Sequence, residues 1–321
     1  CAIQAEVTHP IVEKVLTYMK ENKISAYDEK NHSGLVRHIL TRIGFTTGEI
    51  MVCLIVNGTK KQLKHIDKLV DDLKTIEGMT SIIVNTNTDK TNKILGLRCE
   101  TVWGQDYIED YIGNIKYQIG PLSFYQVNPE QTEKLYSKAV SCAELKKGDK
   151  VIDAYCGTGT IGLIAAKSGA DVAGVELNAE AVKDAVSNAK LNKLDNIRFY
   201  NEDAGEFMTK LAQAGESCDT VFLDPPRAGT TEEFVEALGK LRPEKIVYVS
   251  CKIETLERDL KLLAKISYKA QLIQPVDMFP HTTGIENVVL LKRKMISLTP
   301  NRTPDKKGDK KIERKGKTSH R

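Results

Sequence analysis

The sequence predicts an α/β fold, a mostly parallel sheet covered by helices, preceded by a smaller α+β domain. Three observations carry this. From Lys150 onward, short apolar β-branched runs alternate with runs of helical spacing, the pattern of a parallel sheet wound on both faces. A glycine loop, Gly157-Thr-Gly159-Thr-Ile-Gly162, separates the first such strand from the first such helix. Residues 1–115 mix strand-like and helix-like stretches without that regularity.

Taken in order, Ile11 to Met19 has helical apolar spacing. Glu49 to Val56 reads as a buried strand closed by the turn Asn57-Gly58, Lys61 to Leu73 as an amphipathic helix, and Ser81 to Asn85 as a strand. Residues 116–135 form a junction: Ile119 to Pro129 is a turn-rich loop, and Asn128-Pro129 starts a helix with Glu130 and Glu133 in its first turns. Strands follow at Val151–Tyr155, Asp171–Glu176, Ile197–Tyr200, Thr220–Leu223, Lys245–Ser250 and Asn287–Leu291. Helices are expected at Thr160–Lys167, Ala179–Asn192 and Glu254–Lys265. The resulting division is 1–115, 116–297, and a tail over 298–321.

With 321 residues, 41% of them hydrophobic, the chain is long enough for two domains with a sizeable core. No apolar run approaches the ~20 residues that span a bilayer, and no secretory or transit segment opens the chain. It begins with Cys1 rather than Met, which suggests a fragment or processed form. The seven cysteines are scattered without a CxxC pair, which argues against a disulfide framework or a self-contained zinc site and suits a reducing cytoplasm. The net charge of +4 is a tail property: residues 292–321 carry 12 Lys/Arg and 3 Asp/Glu, leaving −5 for residues 1–291. Such a tail reads as solvated and disordered, and is also suited to gripping phosphates.

Two short segments hold the chemistry. Leu223-Asp-Pro-Pro-Arg-Ala-Gly229 ends a strand in a carboxylate, Asp224, stiffened by two prolines. Tyr248-Val-Ser-Cys-Lys252 ends another in a thiol, Cys251, 27 residues later. A thiol there faces the crevice outside the carboxyl ends of the strands, and the helix that follows is expected to lower its pKa. A rigid acceptor beside a soft nucleophile suits attack on an unsaturated heterocycle. The glycine loop alone matches the dinucleotide fingerprint. Asp153 and Cys156 before it and Glu176 closing the second strand shift the reading from a nicotinamide cofactor towards S-adenosylmethionine, with Glu176 accepting from the ribose hydroxyls. Asp203 is placed either to reach an adenine amino group or to cap a helix. Glu286, before the last strand, is a candidate general base.

Taken together, Ser-Phe-Tyr-Gln-Val-Asn128, Asp-Ala-Tyr-Cys-Gly-Thr-Gly159, the Asp-Pro-Pro-Arg segment, Val-Ser-Cys251 and Phe-Pro-His-Thr…Glu286 resemble the RNA uracil-5-methyltransferase family over residues 116–293. The resemblance implies a Rossmann-like class I methyltransferase domain with a mostly parallel seven-stranded sheet, using S-adenosyl-L-methionine. It implies that Gln126 contacts the methionine portion or the target base, that Tyr155, Gly157, Gly159 and Glu176 hold the cofactor, that Asp224 lies near cofactor and uracil, that Cys251 is the nucleophile and that Glu286 removes the C5 proton. Residues 1–115 look like the family's central RNA-binding domain. Leu35-Val-Arg-His-Ile-Leu-Thr-Arg42 is similar to members acting on 23S ribosomal RNA, which makes that RNA the expected partner, transfer RNA the alternative, and neither DNA nor a membrane a partner. Departures are the lack of a β-barrel module before Cys1, the lack of three of four iron–sulfur cysteines, of which Cys1 looks like the last, and Gly284 where many members carry a His. A nicotinamide-dependent oxidoreductase and a non-catalytic RNA-binding protein are the rival readings.

Overall fold

The computed structural model describes residues 4–294. Cys1 and the basic tail lie outside the described residues. The N-terminal unit has α1 (Thr8–Glu21), β1 (Val36–Ile43), β2 (Ile50–Val56), α2 (Ile66–Leu73), β3 (Met79–Thr86) and β4 (Arg98–Gly104), with a sheet in that strand order. Every residue of β2 is buried. Val52 and Leu54 pack under the helices with Ile11 and Leu69, while Met51, Cys53 and Ile55 face the core of the following unit. Burial on both faces is why this strand reads as an unbroken apolar run.

The continuous helix expected over Lys61–Leu73 is replaced by two pieces. Thr59 and Gln62 form a reciprocal cap around a single tight turn, His65 adopts a left-handed conformation with φ +55°, and α2 starts only at Ile66. Leu63, Leu69 and Leu73 are all buried, so burial follows the apolar spacing although one helix does not.

A hairpin of β5 (Ile108–Ile112) and β6 (Ile115–Ile119) straddles residue 115. Its Ile108, Ile115 and Tyr117 belong to the same buried cluster as Leu135 and Ala139 of α3 (Pro129–Ala143) and as Met51 and Cys53 of β2. The two units are thus joined through a shared core.

The second unit contains β7 (Lys150–Ala154), α4 (Thr160–Lys167), β8 (Asp171–Glu176), α5 (Ala179–Leu191), β9 (Ile197–Asn201), α6 (Ala204–Gln213), β10 (Thr220–Leu223), α7 (Glu232–Leu241), β11 (Lys245–Ser250), α8 (Ile253–Lys265), β12 (Tyr268–Val276) and β13 (Glu286–Arg293). The seven strands lie in the order β12-β13-β11-β10-β7-β8-β9, and only β13 runs against its neighbours. The seven-stranded, mostly parallel sheet is the fold class expected. Chain order reverses direction between β7 and β10, which opens a crevice at the carboxyl ends of the strands. Because β13 is antiparallel, its amino end, with Glu286, arrives at that same edge. Ser250 pairs with Asn287, so one step further Cys251 stands opposite Glu286.

Candidate active site

Seven segments converge on a cavity of about 720 Å³ lined by Gln126, Asp153, Tyr155, Gly157, Glu176, Asp203, Asp224, Arg227, Cys251 and Glu286, among others. All the expected site residues within the described part therefore meet here except Gly159, which is buried beneath the loop.

The glycine loop turns on three positive φ angles, at Tyr155 (+65°), Gly157 (+54°) and Gly159 (+85°). A Cβ on Gly159 would sit 2.9 Å from the Phe199 ring, and one on Gly162 would sit 2.8 Å from Asp153 Oδ2, so these glycines let strand and helix approach closely. Gly157 N donates to Glu176 Oε2 at 3.1 Å, and Asn178 N donates to Glu176 Oε1 at 2.8 Å. The loop thus uses its N–H to hold a carboxylate, and that carboxylate presents the remaining lone pairs as acceptors. Asp203 has the capping role expected of it and also borders the cavity. Its Oδ1 accepts from Gly205 N and Glu206 N at the start of α6.

Asp153 is fully buried; Oδ2 accepts from Gly162 N at 2.7 Å, and Oδ1 has no partner among the described residues. Burial, with Glu176 nearby, raises its carboxyl to about 7. Asp224 still reaches the cavity surface but sits deep in the protein, and burial, Glu286 and Asp153 together raise it to about 8. Glu286 is 4% exposed and raised by burial, an effect that Arg227 opposes.

The thiol corrects one expectation. Cys251 is half-buried and its pKa is pushed up, not down. Burial is the main cause, followed by the facing carboxyls of Glu286 and Asp224; only Arg227 among the side chains pulls it down. Helix α8 starts only at Ile253, beyond Lys252, and burial together with the Glu286 and Asp224 carboxyls sets the direction of the shift.

Gln126 Nε2 donates to the buried Tyr136 hydroxyl at 3.5 Å. Asn128 caps α3 and donates through Nδ2 to Met278 O at 3.2 Å, which ties this loop to the segment leading into Glu286. Among the lining residues without a role in the sequence reading are Arg227 and Phe124, the latter 71% exposed. Their signal was present within the quoted motifs, as a lone base among acids and as an aromatic in a polar loop.

The chemistry of the lining tests which group fits. Six carboxyl groups, Asp153, Glu176, Glu202, Asp203, Asp224 and Glu286, face one basic side chain, Arg227, among the lining residues. A dinucleotide pyrophosphate would meet this acidic wall unfavourably, and the Gly157 N–H it needs is already bonded to Glu176. A ligand with hydroxyls, an adenine amino group, an ammonium and a sulfonium fits it.

A family model described as tRNA (Uracil-5-)-methyltransferase matches residues 8–294. Among similar curated proteins, an uncharacterised RNA methyltransferase of Clostridium tetani is 44% identical over 292 residues, covering 91% of this chain and 63% of the relative. One from Halalkalibacterium halodurans is 43% identical over 295 residues, covering 92% of this chain and 64% of the relative. The chain therefore spans under two thirds of the length of these relatives. Among solved structures, the Pyrococcus abyssi tRNA (uracil-54, C5)-methyltransferase in complex with S-adenosyl-L-homocysteine superposes with a TM-score of 0.73 at 33% identity, covering 87% of this chain and 66% of that one. The chain belongs to the tRNA (uracil-5-)-methyltransferase family.

Proposed function

We propose that this chain transfers a methyl group from S-adenosyl-L-methionine to C5 of a uridine in RNA, through a covalent bond between Cys251 and C6 of the base. The observation that carries it is the convergence of Cys251, Asp224 and Glu286 in one acidic cavity with the glycine loop. Gln126, Tyr155, Gly157, Glu176 and Asp203 would hold the cofactor, and Gly159 would serve it indirectly by shaping the turn. When bound, the cofactor supplies a methyl group on a cationic sulfur, the electrophile that C5 requires.

C5 of uracil is a poor nucleophile until a thiolate adds to C6 and pushes electron density onto it. Cys251 makes that addition. Its raised pKa means that the thiolate forms only as the carboxyl charge across the crevice is offset, and among the facing side chains the Arg227 guanidinium acts in that sense. With a carboxyl near 8, Asp224 is protonated at neutral pH, so it donates towards O4 where negative charge develops. Glu286 then removes the C5 proton, and elimination expels the Cys251 thiolate. A paired base cannot reach such a pocket, so the uridine sits in a loop or is flipped out.

The 23S ribosomal RNA reading rests on the resemblance at Leu35–Arg42. Both arginines of that segment bond internally: Arg37 donates to the carbonyls of Asn87, Asp89 and Thr91, and Arg42 to those of Pro121 and Ser123. They brace the fold rather than offer free cations to a phosphate chain. The transfer RNA reading is supported by the family's description and by the P. abyssi relative. Methylation assays on both RNAs, with 5-methyluridine mapped by mass spectrometry, separate them. Cys251→Ala should abolish transfer while cofactor binding persists, and Glu286→Gln should accumulate a denaturation-resistant protein–RNA adduct. Turnover by Cys251→Ala near the wild-type rate would reject the covalent route.

A further inference from the structure

The loop that carries Asp224 and Arg227 is gripped from outside the cavity, by the helix that follows Cys251. Asp259 of α8 is fully buried; its Oδ2 accepts from Thr230 N at 2.8 Å and from the Tyr248 hydroxyl at 2.7 Å, and its Oδ1 accepts from Arg258 Nε at 2.8 Å. Arg258 Nη2 donates to Ala228 O at 2.9 Å and to Thr230 O at 3.0 Å. The loop is held at three backbone atoms. Tyr248, itself fully buried, stands three positions before Cys251 and pairs in register with Leu223, the residue before Asp224. Gly229 has φ +77°, and a Cβ there would lie 2.5 Å from both Asp259 Oδ2 and Arg258 Nη2, so only glycine admits this grip.

Pro225 and Pro226 have no N–H to anchor the loop, and its internal bond runs from Gly229 N to Pro226 O at 2.8 Å. We propose that Asp259 and Arg258 are positioning residues: the helix leaving the nucleophile clamps the Asp224–Arg227 loop against it, fixing Arg227 relative to Cys251 and Glu286. This rests on the reading of Cys251 as nucleophile. Neither residue lines the cavity, so they act on it from behind.

The test uses the 321-residue chain with Asp259→Asn, and with Tyr248→Phe as the milder change that removes one hydroxyl and leaves the shape intact. Iodoacetamide labelling of Cys251, read on its own peptide by mass spectrometry, is followed against pH. The charged groups facing this thiol are Glu286 from β13 and Asp224 and Arg227 from the clamped loop. Once the grip is weakened Asp224, which raises the thiol more than Arg227 lowers it, drifts together with Arg227 while Glu286 stays on its strand, so the midpoint of the labelling profile should fall by about half a unit or more, and less in Tyr248→Phe. The plateau rate reports access separately. Turnover should fall about tenfold or more, with KM for S-adenosylmethionine changed about twofold or less. A purely structural role lowers the melting temperature without moving the midpoint. An unchanged midpoint in the variants that fold overturns the proposal. Labelling needs no RNA: a wild-type chain that methylates no RNA defeats the functional reading, while the midpoints still judge the clamp.

Discussion

The two loops that wall the cavity are built by opposite means. The glycine loop after β7 is held from within, by N–H groups of Gly157 and Gly162 donated to the carboxylates of Glu176 and Asp153. The loop after β10 has prolines where donors would stand and is held from outside, by Arg258 and Asp259. The first turns backbone donors into an array of acceptors, which suits hydroxyls and amines of a cofactor. The second sets one carboxyl and one guanidinium at a fixed place beside a thiol, which suits charge that appears during a reaction. Binding and chemistry are thus divided between the two loops, and substitutions in each of them test that division.

The largest effect is expected at Asp224. Asp224→Ala should cut turnover by about a hundredfold while cofactor affinity changes little, because it removes a donor used as charge develops; Asp224→Asn, whose amide still donates, should cost less. The asparagine change should also stabilise the protein at alkaline pH. The folded carboxyl titrates at about 8 against an ordinary 3.8, so between these values the native state binds more protons than the unfolded one and wild-type stability falls as pH rises. Asparagine removes that decline, so its advantage over the wild type should grow from pH 4 towards pH 8 and level off above. Urea unfolding across pH checks it, and parallel curves for the two proteins would discredit the buried-acid assignment.

Next comes Glu176→Gln in the first loop. It should weaken S-adenosylmethionine binding about 10- to 100-fold, with turnover at saturation near wild type, since a charged acceptor is replaced by an amide. Calorimetry and saturation kinetics read it; lost turnover at intact affinity would erase the proposed division. The smallest effects separate shape from conformation within the glycine loop. Gly159→Ala should cost about 2–4 kcal/mol, because φ +85° is compounded by a contact of 2.9 Å with Phe199. Gly157→Ala meets open space at φ +54° and should cost about 1 kcal/mol. Equal losses in denaturant would mean that packing plays no part.

Much of the second unit was legible residue by residue. Helix Thr160–Lys167 and strands Asp171–Glu176, Thr220–Leu223 and Lys245–Ser250 have the bounds read from the sequence, because each is apolar, short and punctuated by turn residues. Elements without that contrast were passed over. The edge strand β12 alternates weakly, with Lys269, Gln271 and Gln274 along it, and β1 carries His38, Thr41 and two arginines whose donors are taken up by distant carbonyls. In the hairpin of β5 and β6, five-residue strands owe their burial to α3 and β2 rather than to their own pattern.

Which groups stand at the ends of which strands follows from the local pattern of the chain, since apolar runs and glycine and proline positions set where each strand stops. Long-range packing is what makes β13 return antiparallel and bring Glu286 opposite Cys251, what lets Arg258 and Asp259 reach back to hold the Asp224 loop, and what makes the thiol less acidic rather than more. Register and burial are set by residues far apart in the chain, and the acidity of a side chain sums over all the charges that these bring within reach.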